Sequence, residues 1–297
     1  MSIYELAALG AALTWAVTGI VSAGPSAALG AVAFNRLRMA LVFVMLAITA
    51  ALTGGWQTIG TANLAPLVLS GLIGIFLGDT ALFLTMNRLG PRRTNILFSC
   101  NAPMAAILGW LVLGEAITTQ KLAGIAVVFT GVLLAIVFGK RPSQMHQWEA
   151  VRGPLAVGVA LGLTAALGQA IGSLIARPVM EAGVDPIAAS AVRVGTSVLA
   201  LSLLIATGWQ AIQAKTALTL RLVFVTGVSG MLGLGVGMTL VLFALVGGKV
   251  GIVATLSATT PAFILPVMWM RTGERPAAMA WLGAALVIAG SALIFAS

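Results

Sequence analysis

Ten apolar runs divide this chain, and each is close to the length of about 20 residues that crosses the hydrocarbon core of a bilayer as a helix. They fall at residues 3–21, 32–52, 64–84, 95–113, 122–138, 154–175, 187–207, 218–245, 250–270 and 277–295. Only 8 % of the 297 residues are charged, whereas about a quarter are charged in soluble domains. So few polar side chains cannot cover a water-exposed surface. We therefore predict an all-α polytopic membrane protein with ten transmembrane helices.

The two halves of the chain repeat one another. A proline, a Gly-Glu pair and two later glycines occur twice in the same order, at Pro103, Gly114-Glu115, Gly124 and Gly131, and at Pro261, Gly273-Glu274, Gly283 and Gly290. From the Gly-Glu pair onward the offset is a constant 159 residues. We predict two five-helix repeats, 1–139 and 154–297, joined by the polar linker 140–153. Because five is an odd number, the repeats cross the membrane in opposite senses, as in many secondary transporters.

This arrangement resembles the EamA-type carriers of the drug/metabolite transporter superfamily. The resemblance rests on the paired Pro…Gly-Glu segments, on the glycine-spaced last helix of each half, and on Trp15 in the opening helix. Within that family the aromatic amino-acid exporter group is similar. The resemblance implies a secondary transporter that moves amino acids or similar small polar metabolites through a central cavity by alternating access.

Asp79 is the one acidic residue placed well inside a predicted span. An ionisable group at the bilayer centre costs at least about 2.5–3.5 kcal/mol on insertion scales, so it requires a wet cavity or a partner. One interpretation is that Asp79 faces the central cavity and binds a substrate amine or exchanges a proton. The other is a structural ion pair with an arginine of a neighbouring helix, Arg36 or Arg38.

Two symmetry-related arginines are candidates for binding a substrate carboxylate. Arg36 and Arg193 are offset by 157 residues, and each lies early in the second helix of its half. The alternative is that both are anchors whose charged tips reach the membrane surface.

Prolines inside the fourth and ninth spans predict kinks and indicate where a substrate site would lie. Pro103 and Pro261 lack a backbone donor and bend the helix, which frees carbonyls of the preceding turn. Polar side chains beside such a break in mid-membrane are typical of transporter sites. The candidates are Phe98, Cys100, Asn101, Ser257 and Thr259.

Further candidates line the first and sixth spans and the span ends. Trp15 and Thr18 in the first helix, and Gln169 in the sixth, form polar stripes at helical spacing. Trp15 either forms a cavity wall that stacks on substrate or belongs to an interfacial belt. Glu115 and Glu274 are expected to form ion pairs that stabilise a gate.

The other expectations concern partners and orientation. No metal or cofactor is expected, since His146 has no neighbouring ligand, and the clustered groups of an enzyme or the residue rings of a channel are not visible. The partners are the substrate, membrane lipid and in one reading protons, but not nucleic acid. Of the 16 Lys and Arg residues, twelve fall on the linker side. The predicted location is the cell (inner) membrane. The positive-inside rule then places both termini on its outer side, opposite the cytoplasm.

Overall fold

The computed structural model describes residues 2–114, 116–140, 146, 150–204, 213–247 and 250–295, and within these ranges it is helical without any strand. The helices in chain order are α1 (Ile3–Leu29), α2 (Ala31–Leu52), α3 (Thr61–Ser70), α4 (Gly78–Phe98), α5 (Asn101–Leu113), α6 (Thr119–Val137), α7 (Leu155–Glu181), α8 (Pro186–Leu203), α9 (Leu220–Gly230), α10 (Thr239–Gly247), α11 (Val250–Ser257), α12 (Thr260–Thr272) and α13 (Ala278–Phe295). A 3₁₀ turn occupies Gly55–Thr58, and π-helical segments occupy Gly71–Leu77 and Met231–Met238.

These helices make ten membrane passes. Gly90, with a φ of 79°, interrupts α4, so that the third pass ends there and the fourth consists of the end of α4 followed by α5. The eighth pass joins α9 to α10, and the ninth joins α11 to α12. Seven helical stretches of the described chain are long and apolar enough to cross a membrane individually. The split fourth and ninth passes and the short tenth complete the set.

The fourth and ninth passes are broken at equivalent positions of the two repeats. Turns at 99–100 and 258–259 separate the two helices of each pass. Pro103 and Pro261 lie in the first turn of the helix that follows. A proline is tolerated there because the first N–H groups of a helix have no intrahelical acceptor to lose.

The last helices of the two repeats pack against each other in a way that directly reflects the inverted arrangement. A Cβ atom added to Gly124 would lie 2.7 Å from the carbonyl oxygen of Gly290, and one added to Gly290 would lie 2.7 Å from that of Gly124. Gly131 and Gly283 approach each other in the same reciprocal manner. An early residue of α6 therefore meets a late residue of α13, so the helices run antiparallel. Backbones this close gain dispersion energy where lipid supplies no hydrophobic drive.

The outer surface of the protein is as apolar as its interior, and buried polar side chains such as Thr85 have partners inside. Large apolar side chains point outward, for example Leu52, Leu203 and Met270. Thr85 and Ser229 are buried instead, and Thr85 donates to the main-chain oxygen four residues earlier. This pattern suits a protein whose outer solvent is lipid, because polar groups must find partners inside.

The two π-helical segments occupy corresponding positions of the repeats and flank the centre of the molecule. The first precedes Gly78 and Asp79, and the second contains Gly233 and Gly237. π-Helical turns within longer helices are rare and frequently lie at functional sites.

Candidate functional site

A small central cavity lies between the two repeats. It has a volume of about 50 Å³, which is room for a few water molecules. It is lined by Trp15, Thr18, Gly19, Arg38, Asp79, Leu82, Phe83, Met86, Thr94, Asn95, Phe98, Gln169, Gly233, Leu234 and Met238. Of the residues predicted as substrate contacts, the structure brings Asp79, Phe98, Trp15, Thr18 and Gln169 together here.

The Arg38–Asp79 ion pair is the electrostatic centre of this cavity. Nη2 of Arg38 donates to Oδ2 of Asp79 at 3.0 Å, and both side chains are almost completely buried. The guanidinium carbon also lies 4.6 Å from the centroid of the Phe83 ring, a cation–π contact. The two interpretations of Asp79 therefore describe one arrangement: the carboxylate lines the cavity and is also ion-paired with a neighbouring helix.

Arg38 keeps unused hydrogen-bonding capacity. Its Nε and Nη1 atoms have no hydrogen-bond partner in the described part of the chain. A buried donor without an acceptor costs about 1–3 kcal/mol, and more when the group is charged. Both atoms are themselves buried, so no acceptor reaches them unless neighbouring side chains move.

Arg193 is a second buried cation beside the same carboxylate. Its side chain is fully buried, and none of its three guanidinium nitrogens has a hydrogen-bond partner among the described residues. It fits because Gly74 has no side chain: a Cβ atom there would lie 3.2 Å from Nη2 of Arg193. Arg193 does not line the cavity but is near enough to Asp79 to interact electrostatically.

Trp15 forms a wall of the cavity and connects the two repeats. Its indole Nε1 donates to the main-chain oxygen of Gly233 at 3.0 Å. Its ring meets that of Phe98 edge to face, with centroids 5.7 Å apart. Gly237 leaves room for the indole, since a Cβ there would lie 2.7 Å from Nε1. The interior position of Trp15 favours the cavity-wall interpretation over an interfacial belt.

Apart from Phe98, the predicted residues beside the helix breaks lie outside the cavity lining. Cys100 packs into an apolar cluster with Ile96 and Leu97. Asn101 is buried, and its Nδ2 donates to the main-chain oxygen of Phe98 at 2.8 Å. Thr259 donates in the same way to Leu256 at 2.6 Å, and Ser257 is buried without reaching the cavity. These polar groups satisfy backbone carbonyls freed at the breaks, the alternative role of such side chains.

Arg36 and the predicted gate residue Glu274 also lie outside the lining of the central cavity. Arg36 is half-buried and lines a lateral cavity with Ser202 and Leu218. Glu274 accepts a hydrogen bond from the main-chain nitrogen of His146 at 3.0 Å, which ties the linker to the end of the ninth pass. Glu115 lies outside the described residues.

The arginine that faces the cavity, Arg38, was not among the predicted carboxylate contacts. The signal lies in helix geometry: at 100° per residue, Arg36 and Arg38 point about 160° apart, so only one of them can face the centre. Thr94, Asn95 and Met86 were also missed, because their spans carry no polar periodicity.

A wider vestibule leads toward the cavity from the linker side. It has a volume of about 380 Å³ and is lined by the last part of α1, by α4 around Gly90 and by Arg152. Met86 lines both the vestibule and the central cavity. The opposite end is filled by a packed apolar cluster that includes Ala8, Ala11 and Met180. In this conformation the cavity is sealed toward the termini and approached from the linker side.

Two inverted five-helix repeats around a buried polar cavity define a membrane transporter fold. The chain belongs to the EamA-like transporter family, whose model matches it twice, over residues 2–137 and 156–296. This confirms the predicted ten-helix, two-repeat fold and a membrane transporter of small metabolites. The match extends to the family, not to the aromatic amino-acid exporter group within it.

Comparison with solved structures supports the fold and gives no information on the substrate. One solved structure, described simply as a crystal structure of a protein, superposes with a TM-score of 0.72 over 98 % of this chain and 95 % of its own, at 14 % sequence identity. No match was found among the curated proteins.

Proposed function

We propose that this protein is a secondary transporter that carries amino acids or closely related small metabolites across the cell membrane by alternating access around the central cavity. In the conformation described, the vestibule adjoins the cavity at Met86 on the linker side, and the positive-inside rule makes this the cytoplasmic side. The observation that carries the proposal is the asymmetry of the two ends: an open vestibule on one side and the cluster around Ala11 on the other.

The close glycine contacts support a rocking motion between the repeats. Gly172 of α7 meets Gly74 of the first π-helical segment, and a Cβ added to Gly172 would lie 2.8 Å from the Cα of Gly74. Gly233 of the second π-helical segment meets Thr18 of α1. These two contacts join the repeats across smooth surfaces, and smooth helix surfaces can shift with little change in packing energy.

The cavity chemistry supports a small organic substrate. Arg38 supplies free donors, and Trp15 and Phe98 supply an aromatic wall. Transporter sites of this kind combine a few convergent polar groups with a mostly apolar lining. The volume of 50 Å³ is smaller than any amino acid, so substrate entry requires movement of side chains such as Met86.

Cysteine accessibility tests the alternation directly. Cys100 is the single cysteine of the chain and is buried, so a Cys100→Ala background carries no other thiol. In this background Ala27→Cys lies in the vestibule and Ala11→Cys in the sealed cluster. We expect a thiol reagent to reach Ala27→Cys from the linker side and Ala11→Cys from the opposite side, with substrate changing the two labelling rates in opposite directions.

Reconstituted vesicles provide the transport measurement for the same variants. Uptake of labelled amino acids that proceeds while Ala11→Cys is never labelled would refute alternating access. A vesicle that conducts ions continuously, without saturable uptake, would point to a channel instead.

A further inference from the structure

The central cavity carries an excess of positive charge. Of the described residues inside the membrane passes at this level, Arg38 and Arg193 are cations and Asp79 is the one carboxylate. Arg38 is paired with this carboxylate, whereas Arg193 is buried without a hydrogen-bond partner among the described residues, so one positive charge is left uncompensated. Such a charge in the membrane interior is expensive, and it typically marks a binding site for a counter-charge.

The geometry of Arg38 shows where that counter-charge would bind. Nη2 is engaged by Asp79, whereas Nε and Nη1 have no acceptor among the described residues. The side chain is 3 % exposed and lines the cavity. Nε and Nη1 are themselves buried, so an acceptor that enters the cavity reaches them only when neighbouring side chains move. A carboxylate can accept two parallel hydrogen bonds from the fork of a guanidinium, which is the strongest pairing for such donors.

The route into the cavity is positive as well. Arg152 lines the vestibule, and no acidic residue is found among its described lining residues. A positive passage with low-dielectric walls concentrates anions at its inner end.

The remaining lining indicates what the rest of the ligand is like. Trp15, Phe98, Leu82, Met86 and Met238 present aromatic and aliphatic surface to the cavity. Asp79, the one carboxylate among the described lining residues, is already ion-paired with Arg38. A free ammonium would therefore compete with Arg38 for this carboxylate.

We propose that the central cavity is a site for a monocarboxylate anion with an apolar body, and that Arg38 binds the carboxylate through Nε and Nη1. The bound anion balances the charges of Arg38, Arg193 and Asp79. The inference rests on the proposed function, since it takes this cavity as the transport site. It narrows the substrate class: the deaminated, net-negative counterpart of an apolar amino acid is preferred over the zwitterionic amino acid.

Matched ligands test the preference on the purified full-length protein. The aromatic set is 3-phenylpropionate, 3-phenylpropionamide, phenylalanine and phenethylamine, which share a skeleton and differ in charge; the aliphatic set is 4-methylvalerate, 4-methylvaleramide, leucine and isoamylamine. Thermal stability is measured against concentration of each compound, because a ligand that binds the folded state raises the apparent stability. We expect both carboxylates to stabilise the protein, and the amides, amines and zwitterions to do so at least tenfold more weakly.

Variants of the Arg38–Asp79 ion pair test whether Arg38 is responsible for the preference for carboxylates. Arg38→Gln should weaken carboxylate binding by about a hundredfold, the usual scale for truncating one partner of a buried charge pair. Arg36→Gln is the control, since Arg36 lies two residues away in the lateral cavity. Asp79→Asn should strengthen carboxylate binding by about tenfold, because it removes the internal competitor for Arg38. A merely structural ion pair predicts no such gain.

The outcomes separate the two proposals. Equal binding of carboxylates and zwitterions, or unchanged carboxylate binding by Arg38→Gln, overturns the anion site while leaving alternating access intact. Chloride that stabilises the protein as well as the carboxylates do would likewise contradict a carboxylate site. If Arg38→Gln does not fold, the double variant Arg38→Gln/Asp79→Asn removes the pair together, and its loss of carboxylate discrimination is the expected result. Failure of the cysteine accessibility to alternate concerns the proposed function alone.

Discussion

The indole Nε1 of Trp15 donates a hydrogen bond to the main-chain oxygen of Gly233 across 3.0 Å, joining the first helix of one repeat to the π-helical segment of the other. The residues are 218 positions apart in the chain. Trp15 and Gly233 both line the cavity, so its aromatic wall lies at the junction between the two repeats.

The first prediction distinguishes the contribution of this hydrogen bond to stability from that of the aromatic wall. Trp15→Phe keeps a ring beside Phe98 but removes the donor, and should lower the free energy of unfolding by about 1 kcal/mol. Trp15→Ala removes the wall as well and should cost about 3–5 kcal/mol. Thermal unfolding in detergent measures both. Trp281→Phe, on the outer face of α13, is the control and should change little; equal losses in all three variants would contradict the assignment.

The second prediction concerns the antiparallel contact of α6 and α13. Gly131→Ala places a methyl group where a Cβ would lie 2.7 Å from the carbonyl oxygen of Gly283. The helices must separate, and we expect a loss of about 1–3 kcal/mol in stability. Gly24→Ala is the matched control, because nothing lies within 4 Å of its added Cβ and alanine favours a helix. A Gly131→Ala protein as stable as the control would show that the helices do not approach this closely.

The third prediction is that the charge of Arg193 lowers the stability of the protein but strengthens carboxylate binding. This cation is fully buried without a hydrogen-bond partner in the described ranges. Arg193→Met removes an uncompensated charge while keeping a long side chain, and should raise the unfolding free energy by about 1 kcal/mol or more. It should also weaken carboxylate binding, because the cavity loses its net positive charge. Arg193→Lys keeps the charge and is the control. A Met variant less stable than the Lys variant would show that the guanidinium is structurally satisfied.

Orientation in the membrane provides the fourth prediction. In a Cys100→Ala background, a membrane-impermeant maleimide applied to intact cells should label Ser2→Cys, near the amino terminus, and not Ala150→Cys in the linker. The physical reason is the excess of Lys and Arg on the linker side, which is retained in the cytoplasm. Labelling of Ala150→Cys alone would reverse the orientation and, with it, the side toward which the vestibule opens.

Several parts of this structure were predictable from local sequence. Apolar runs of about 20 residues indicate the passes because lipid offers no partner to a backbone that is not helical. The glycines at 124, 131, 283 and 290 indicate the repeat, and their reciprocal contacts follow once the two last helices run antiparallel. Asp79 stood out as a site residue because a buried carboxylate always needs an explanation in the membrane.

Other parts of the structure depend on contacts between helices that the sequence does not reveal. Asn101 and Thr259 resembled cavity residues, but each donates to a carbonyl at a helix break. Arg36 and Arg193 were predicted to be symmetry mates, but the structure shows that Arg38 is the counterpart of Arg193. Nη2 of Arg193 lies 3.2 Å from a Cβ added to Gly74, and Nη2 of Arg38 lies 3.5 Å from one added to Gly233 in the other repeat. Arg36 lines a lateral cavity instead. The offset between the repeats differs from helix to helix, so one sequence offset does not give every equivalent pair.

The sequence by itself determined how many times the chain crosses the membrane, the inversion of its halves and the scarcity of charge within the passes. The tertiary structure decided that Arg38 pairs with Asp79. It also decided that the Arg193 side chain occupies the space beside Gly74, and that the Trp15 ring packs against Phe98 in the cavity wall. The reason lies in the rotation of each helix about its own axis. A helix that is apolar all round has no hydrophobic periodicity to show which side faces inward, so its orientation about its own axis emerges only when its neighbours pack against it.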